Sequence, residues 1–142
     1  MKLISVTANQ HVLNGNVTGK PVRLLLTFDD GQTLRLAVAG DGQGMLVDRL
    51  PLEEPFNLAE LGSLVIEDVT RSLDARLQNA NVIHAQPLLL DGQRVGVQLV
   101  LDEHPFHFWV DGDELWWGND NVLSAHEWLQ GIAPIAAQQP LI

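Results

Sequence analysis

The 142-residue chain contains no cysteine and no tyrosine. Without cysteine the chain has no disulfide, no thiolate metal ligand and no cysteine nucleophile. The lack of disulfides fits a reducing compartment, so we expect a cytoplasmic protein. A chain of this length buries enough surface to fold without covalent or metal staples. We predict a single globular domain over residues 1–142 that needs no cofactor.

Long apolar stretches are also missing. No segment approaches the roughly 18 consecutive apolar residues that a membrane-spanning helix needs. The N-terminal residues 1–16 have neither the apolar run nor the small-residue cleavage site of a secretion signal. These features predict a soluble protein that is not exported and does not bind a membrane.

Basic side chains are scarce. Lys and Arg number 8 against 18 Asp and Glu, which gives a formal net charge of −10. Nucleic-acid binding depends on Lys and Arg patches that neutralise phosphates, so we predict no nucleic-acid partner. The apolar fraction of 46% supports a packed core, and 18% charged residues is too few for a disordered acidic tail.

Three segments share one pattern, in which an apolar run is followed by an Asp-Gly reversal and a second run. The Asp-Gly pair readily adopts the positive φ angles of a tight turn between twisted strands. The pattern predicts three antiparallel pairs, which are 22–28 with 33–39, 88–90 with 95–100, and 106–110 with 114–117. We therefore predict a mainly β (α+β) fold, with an antiparallel sheet that is rolled or packed as a sandwich.

One or two short helices complete the predicted fold. The spacing of Asn57 and Glu60 is that of a capping box and predicts a short helix near 58–61. Residues 121–130 have helical apolar spacing and precede Gly131 and Pro134, which predicts a helix over 121–130. Between them, residues 64–69 read as a strand, whereas 73–78 fit either a strand or a short helix.

The strand predicted over 106–110 alternates strictly. Because neighbouring side chains of a strand point to opposite faces, we expect Phe106, Phe108 and Val110 in the core, with His107 and Trp109 on the second face. Both of these faces carry aromatic side chains.

The last third of the chain has an uneven distribution of charge. After Arg94 there is no Lys or Arg, yet this stretch holds seven acids, which are Asp102, Glu103, Asp111, Asp113, Glu114, Asp120 and Glu127. It also holds all four tryptophans, which are Trp109, Trp116, Trp117 and Trp128. We expect these acids to need basic partners from elsewhere in the chain, an external cation or a partner protein. The other interpretation is that they only solvate the surface.

Adjacent tryptophans in a strand point to opposite faces, so at least one of Trp116 and Trp117 must leave the main core. Either the predicted helix over 122–130 covers it, or it serves as a binding anchor. The predicted binding surface consists of Trp116, Trp117, Asp111, Asp113, Glu114, Asn119 and Asp120.

These features favour a non-enzymatic acidic interaction module that binds a basic protein partner, as an inhibitor or immunity protein does. One alternative is a small-ligand binder, for example of a saccharide, that uses the same Trp and Asp surface. A second alternative is a small enzyme with a His/carboxylate site around His104 and His107. No nucleophile or phosphate-loop motif is present, so no catalytic residue is assigned.

His104 and His107 follow Asp102 and Glu103, and imidazoles next to carboxylates are candidate ligands for Zn²⁺ or another divalent ion. Their spacing of three directs them to opposite faces of a strand. We therefore predict no metal site.

Overall fold

Two antiparallel sheets pack face to face in the computed structural model, which describes residues 1–102, 104–128 and 131–142. The strands of the first sheet are β1 (Leu3–Leu13), β2 (Asn16–Val17), β3 (Arg23–Phe28), β4 (Thr33–Val38), β5 (Met45–Asp48), β6 (Phe56–Asn57) and β7 (Ser63–Asp68). Those of the second sheet are β8 (Val82–Leu90), β9 (Gln93–Leu101), β10 (Pro105–Asp111), β11 (Glu114–Asn119) and β12 (Ile135–Ala136). The predicted mainly β architecture is confirmed, and its form is a sandwich.

The order of strands in the first sheet is β5-β4-β3-β1-β7-β6, with β2 paired to the end of β1. The order in the second sheet is β11-β10-β9-β8-β12. The helical segments are α1 (Thr70–Leu73), α2 (Asp120–Ala125) and 3₁₀ turns at Ala59–Leu61 and Ala75–Leu77. Among the described residues, no helix is long and apolar enough to cross a membrane.

All three predicted hairpins are present, as the pairs β3–β4, β8–β9 and β10–β11. Two of them close with two-residue turns in which both φ angles are positive. Asp91 and Gly92 have φ of 50° and 77°, and Gly112 and Asp113 have φ of 60° and 65°. Such turns match the right-handed twist of the strands, which explains why the Asp-Gly signal located these hairpins correctly.

The longest strand, β1, was not predicted. It lies between β3 and β7 and pairs antiparallel with both. Its inward side chains include Val6 and Ala8, which are fully buried, and its chain turns through Asn14-Gly15 into β2. Asn-Gly is a strong hairpin signal. That signal would have located the end of β1.

The inner faces of both sheets form one hydrophobic core. The first sheet contributes Leu24, Leu26, Leu34 and Leu36, and the second contributes Val97, Leu99, Phe106, Phe108 and Val110. The alternation predicted for 106–110 is confirmed, because Trp109 is fully buried in a separate cluster on the other face. Because one core draws on both sheets, neither sheet is a separate folding unit.

The helix predictions are correct only in part. The capping residue Asn57 accepts a hydrogen bond from the backbone N–H of Ala59 (2.7 Å), but the segment after it is a 3₁₀ turn. Residues 64–69 largely form β7, and 73–78 are helical turns rather than a strand. The helix predicted over 121–130 was wrong for residues 126–128, since α2 ends at Ala125 and His126 is extended. Leu129 and Gln130 lie outside the described residues.

Replacing Phe108 should destabilise the protein strongly. The ring is fully buried between the sheets and stacks edge-on against Phe106 at a centroid distance of 5.3 Å. We expect Phe108→Ala to lower the free energy of unfolding by about 3–5 kcal/mol, measured by urea denaturation. Phe56→Ala is the control, because that ring is 45% exposed at the edge of the first sheet. Similar losses in both variants would contradict the assigned core.

Candidate functional site

The outer face of the second sheet is apolar. Residues 120–128, which follow β11, lie across this face and are its cover. Leu88, Val95 and Trp109 project from the sheet, and Leu123 of α2 packs on them. Trp116 and Trp128 lie half-buried at the margin of this cluster. This segment therefore closes a face that would otherwise expose a large apolar surface.

His126 lies among three tryptophans in this cover. Its ring is 5.5 Å from Trp109, 4.8 Å from Trp116 and 4.9 Å from Trp128, measured between centroids. Its Nε2 donates to Asp111 Oδ2 at 2.8 Å, with both side chains only 12% and 13% exposed. These contacts hold His126 against the sheet in an extended conformation. Because an extended residue cannot continue a helix, α2 ends at Ala125.

A second histidine–aspartate pair fixes the start of the cover. His107 is buried on β10, and its Nε2 donates to Asp120 Oδ1 at 2.6 Å. Asp120 is the first residue of α2 and is itself 65% exposed. Two of the seven acids thus have histidine partners inside the same stretch. The expectation that these acids need Lys, Arg or an external partner was wrong for Asp111 and Asp120.

Trp116 and Trp117 point to opposite faces, as predicted. Trp116 packs in the outer cluster and its Nε1 donates to the carbonyl of Asp111 at 3.0 Å, whereas Trp117 packs against the main core. Both are half-buried. The cover over Trp116 is His126, which comes directly after α2, rather than a long helix over 122–130.

Lys20 is the basic residue that reaches these tryptophans. Its Nζ lies 3.9 Å from the ring centroid of Trp116 and 4.7 Å from that of Trp117. Both distances fall within the range of cation–π contact. The edge of β11 therefore already binds one ammonium group, that of Lys20.

A groove of about 310 Å³ runs beside Lys20. Its lining includes Lys20 and Arg23 together with Asp113 and Glu114 of the β10–β11 hairpin. Arg23 pairs with Glu53 at 3.3 Å. Among the described residues, no basic side chain lies within ion-pair distance of Asp113 or Glu114, and both acids are exposed.

Three loops meet at this end of the sandwich. The backbone N–H of Asp113 donates to the carbonyl of Gly42 (3.0 Å), and Gln93 Nε2 donates to Asp41 Oδ2 (3.0 Å). Hydrogen bonds from the backbone N–H groups of Gly44 and Gln43, and then from Gln93, hold the pKa of the Asp41 carboxyl below its usual value. The Asp113 hairpin is thus tied to a neighbouring loop.

The predicted binding residues do not form one site. Asp111, Asp113 and Glu114 lie at the hairpin end of β11, but Asn119 and Asp120 lie at its other end, where Phe106 pairs with Asn119. Asn119 Oδ1 accepts a hydrogen bond from Val122 N–H (3.1 Å) and caps α2. The set expected to bind a saccharide is therefore divided between two places.

The candidate metal ligands are also separated by their environments. His107 is 2% exposed and bonded to Asp120, whereas His104 is exposed. Within residues 1–102, 104–128 and 131–142, no group of three or more His, Asp or Glu is arranged to hold a metal ion. Glu103 lies outside these ranges.

Comparison of the chain with protein-family models, with curated proteins and with solved structures finds no significant match. Functional inference for this chain therefore depends on its own residues and their arrangement.

Low pH should destabilise the loop before β5, in which the Asp41 carboxylate accepts hydrogen bonds from the backbone N–H groups of Gln43 and Gly44. Because its folded pKa is depressed, the stabilisation by this carboxylate is fully present above the unfolded pKa of about 3.9 and is lost as pH falls through the lower folded pKa. Asp41→Asn should weaken the dependence of the melting temperature on pH between about 5 and 2, measured by circular dichroism. Gln93→Met removes only one donor and should have a smaller effect. An unchanged pH dependence in Asp41→Asn would contradict this role.

Proposed function

We propose that this protein is a non-enzymatic interaction module that binds a basic segment of a partner protein at the groove between Lys20 and the β10–β11 hairpin. The observation that carries the proposal is the position of Lys20 Nζ over the rings of Trp116 and Trp117. The intramolecular ammonium group indicates which chemistry this surface accepts. A Lys or Arg side chain of a partner would use the same indole faces.

The acids beside the groove support the same chemistry. Asp113 and Glu114 are exposed on its wall, and Asp91 is exposed on a neighbouring turn. Carboxylates placed beside aromatic faces attract a cation at long range and hold it at short range. With a net charge of −10, the chain as a whole favours the approach of basic partners and disfavours nucleic acids.

The tryptophans act in this proposal as faces for a cation rather than as protruding anchors. Trp116 is fixed by its hydrogen bond to Asp111 and by its contact with His126, and Trp117 rests on the main core. A surface that is already fixed loses little entropy when a partner binds. An inhibitor or immunity protein that blocks a basic toxin is one form that such a module takes.

A cytoplasmic location is part of the same proposal. The chain has no cysteine and so has no disulfide that requires an oxidising compartment.

Neutralising the groove acids should weaken binding of a basic probe. An oligolysine peptide is titrated into the protein at low salt while indole fluorescence is recorded. Exposed charge pairs contribute about 0.2–1 kcal/mol each, so Asp113→Asn combined with Glu114→Gln should lower the affinity by roughly 2–30-fold. Binding by the unmodified protein should weaken as salt rises, because exposed charges are screened.

The matched control removes the same net charge elsewhere. Glu54→Gln combined with Glu60→Gln neutralises two exposed acids near β6, away from the groove. This control should lose much less affinity than the groove variant. Equal losses in the two double variants would show that only net charge matters and would overturn the proposed site.

Removing Lys20 should strengthen binding. Lys20→Gln deletes the ammonium that occupies both indole faces and also removes a like charge, so oligolysine should bind several-fold more tightly. Lys2→Gln is the control, because it removes one exposed basic residue next to a different strand. Weaker binding by Lys20→Gln than by Lys2→Gln would contradict the proposed competition.

A further inference from the structure

An open cavity of about 290 Å³ lies at the opposite end of the sandwich from the β10–β11 hairpin. It is formed where β9 ends and β10 begins, around Leu101, His104 and Pro105. The turns that carry Asp91 and Asp113 are at the other ends of these strands. This cavity is therefore separate from the groove that holds Lys20.

The floor of the cavity is apolar. Ala80, Leu101 and Pro105 are half-buried in its lining, and the buried side chains of Leu77 and Phe106 lie behind them. Concave apolar surfaces with a few polar groups at the rim are the usual form of small-molecule sites. The volume suits a ligand with an apolar body of one small ring.

The charged groups at the rim are only partly satisfied. Asp102 Oδ1 accepts a hydrogen bond from Asn81 Nδ2 at 2.9 Å, and among the described residues no protein group bonds to its Oδ2. The cation of the rim, Arg76, is already held by Asp74 through two hydrogen bonds of 3.1 and 2.8 Å. Asp102 Oδ2 is therefore available to a ligand at the rim. The positive charge of Arg76 beside it is balanced by Asp74.

A second depression of about 330 Å³ adjoins the cavity and adds another carboxylate to its surroundings. It shares Arg76, His104 and Pro105 with the cavity and also contains Asp120. Asp120 engages His107 through Oδ1 alone. Among the described residues, Asp102 and Asp120 each have one carboxylate oxygen without a partner, and the charge of Arg76 is balanced by Asp74, so the electrostatic field here favours a cation over an anion.

We propose that this cavity binds a small organic amine with an apolar body. The ammonium group pairs with Asp102 at the rim, and the apolar body rests on Ala80, Leu101 and Pro105. A hydrogen bond to a charged acceptor is stronger than one between neutral groups, so the amine is preferred over an alcohol of the same shape.

Three probes of one shape test the ligand class. Phenethylamine, 2-phenylethanol and 3-phenylpropionate are each titrated into the ¹⁵N-labelled protein, and backbone amide shifts are followed by NMR. Phenethylamine should bind with roughly fivefold or greater preference over the other two probes, with the largest shifts at Leu77, Leu101 and Phe106. Asp102→Asn should abolish that preference while leaving the affinity for 2-phenylethanol unchanged.

Two further variants separate this site from the Lys20 groove. Ala80→Leu places a larger side chain in the cavity lining and should weaken all three probes. Asp113→Asn combined with Glu114→Gln should leave the phenethylamine-induced shifts at Leu77, Leu101 and Phe106 unchanged, as should Asp91→Asn, which removes one exposed charge at the far end of β8 and β9. The shift map and Asp102→Asn decide the question even where Ala80→Leu fails to fold.

Several outcomes would overturn the proposal. Tighter binding of 3-phenylpropionate would indicate an anion site. Phenethylamine shifts at Asp113 and Trp116 with none at Leu77, Leu101 or Phe106 would show that the amine binds only in the Lys20 groove and not in the cavity. Failure of all three probes to bind would show that the cavity is not a site for ligands of this shape.

Discussion

The second sheet has apolar side chains on both of its faces, and this constraint shapes much of the molecule. Phe108 faces the other sheet and Trp109, its neighbour in β10, faces outward, yet both are fully buried. Leaving an indole and its aliphatic neighbours in water would cost several kcal/mol, at about 25 cal/mol per Å² of apolar surface. The chain after β11 therefore has to return across the outer face.

The two histidine–aspartate pairs fix that return. His107 holds Asp120 where α2 begins, and His126 holds Asp111 immediately after α2 ends. Each hydrogen bond satisfies the Nε2 atom of a histidine next to apolar surface, where an unpaired polar group is costly, while the buried His107 Nδ1 has no partner among the described residues. Asp111 and Asp120, which looked available for a partner, therefore have a structural role, whereas Asp113 and Glu114 at the hairpin tip are exposed.

Trp116 links this cover to the proposed binding surface. One side of its ring contacts His126 in the outer cluster, and Lys20 lies over the ring at the sheet edge. Packing of the cover thus positions an aromatic face for a cation. The cavity near Asp102 lies at the other end of the same strands and is built from different residues, so the two proposed sites do not overlap.

The sequence by itself determined the local features, because turn chemistry and strand alternation act between near neighbours. It located the hairpins through their Asp-Gly turns, the inward faces of Phe106 and Phe108, and the opposite orientations of Trp116 and Trp117. It did not reveal the central position of β1 or the early end of α2. Those depend on contacts distant in sequence, such as the pairing of β1 with β3 and β7 and the bond of His126 to Asp111. Only the tertiary structure brought Lys20 onto the tryptophans, because 96 positions separate Lys20 from Trp116 along the chain (116 − 20) and no local pattern records that contact.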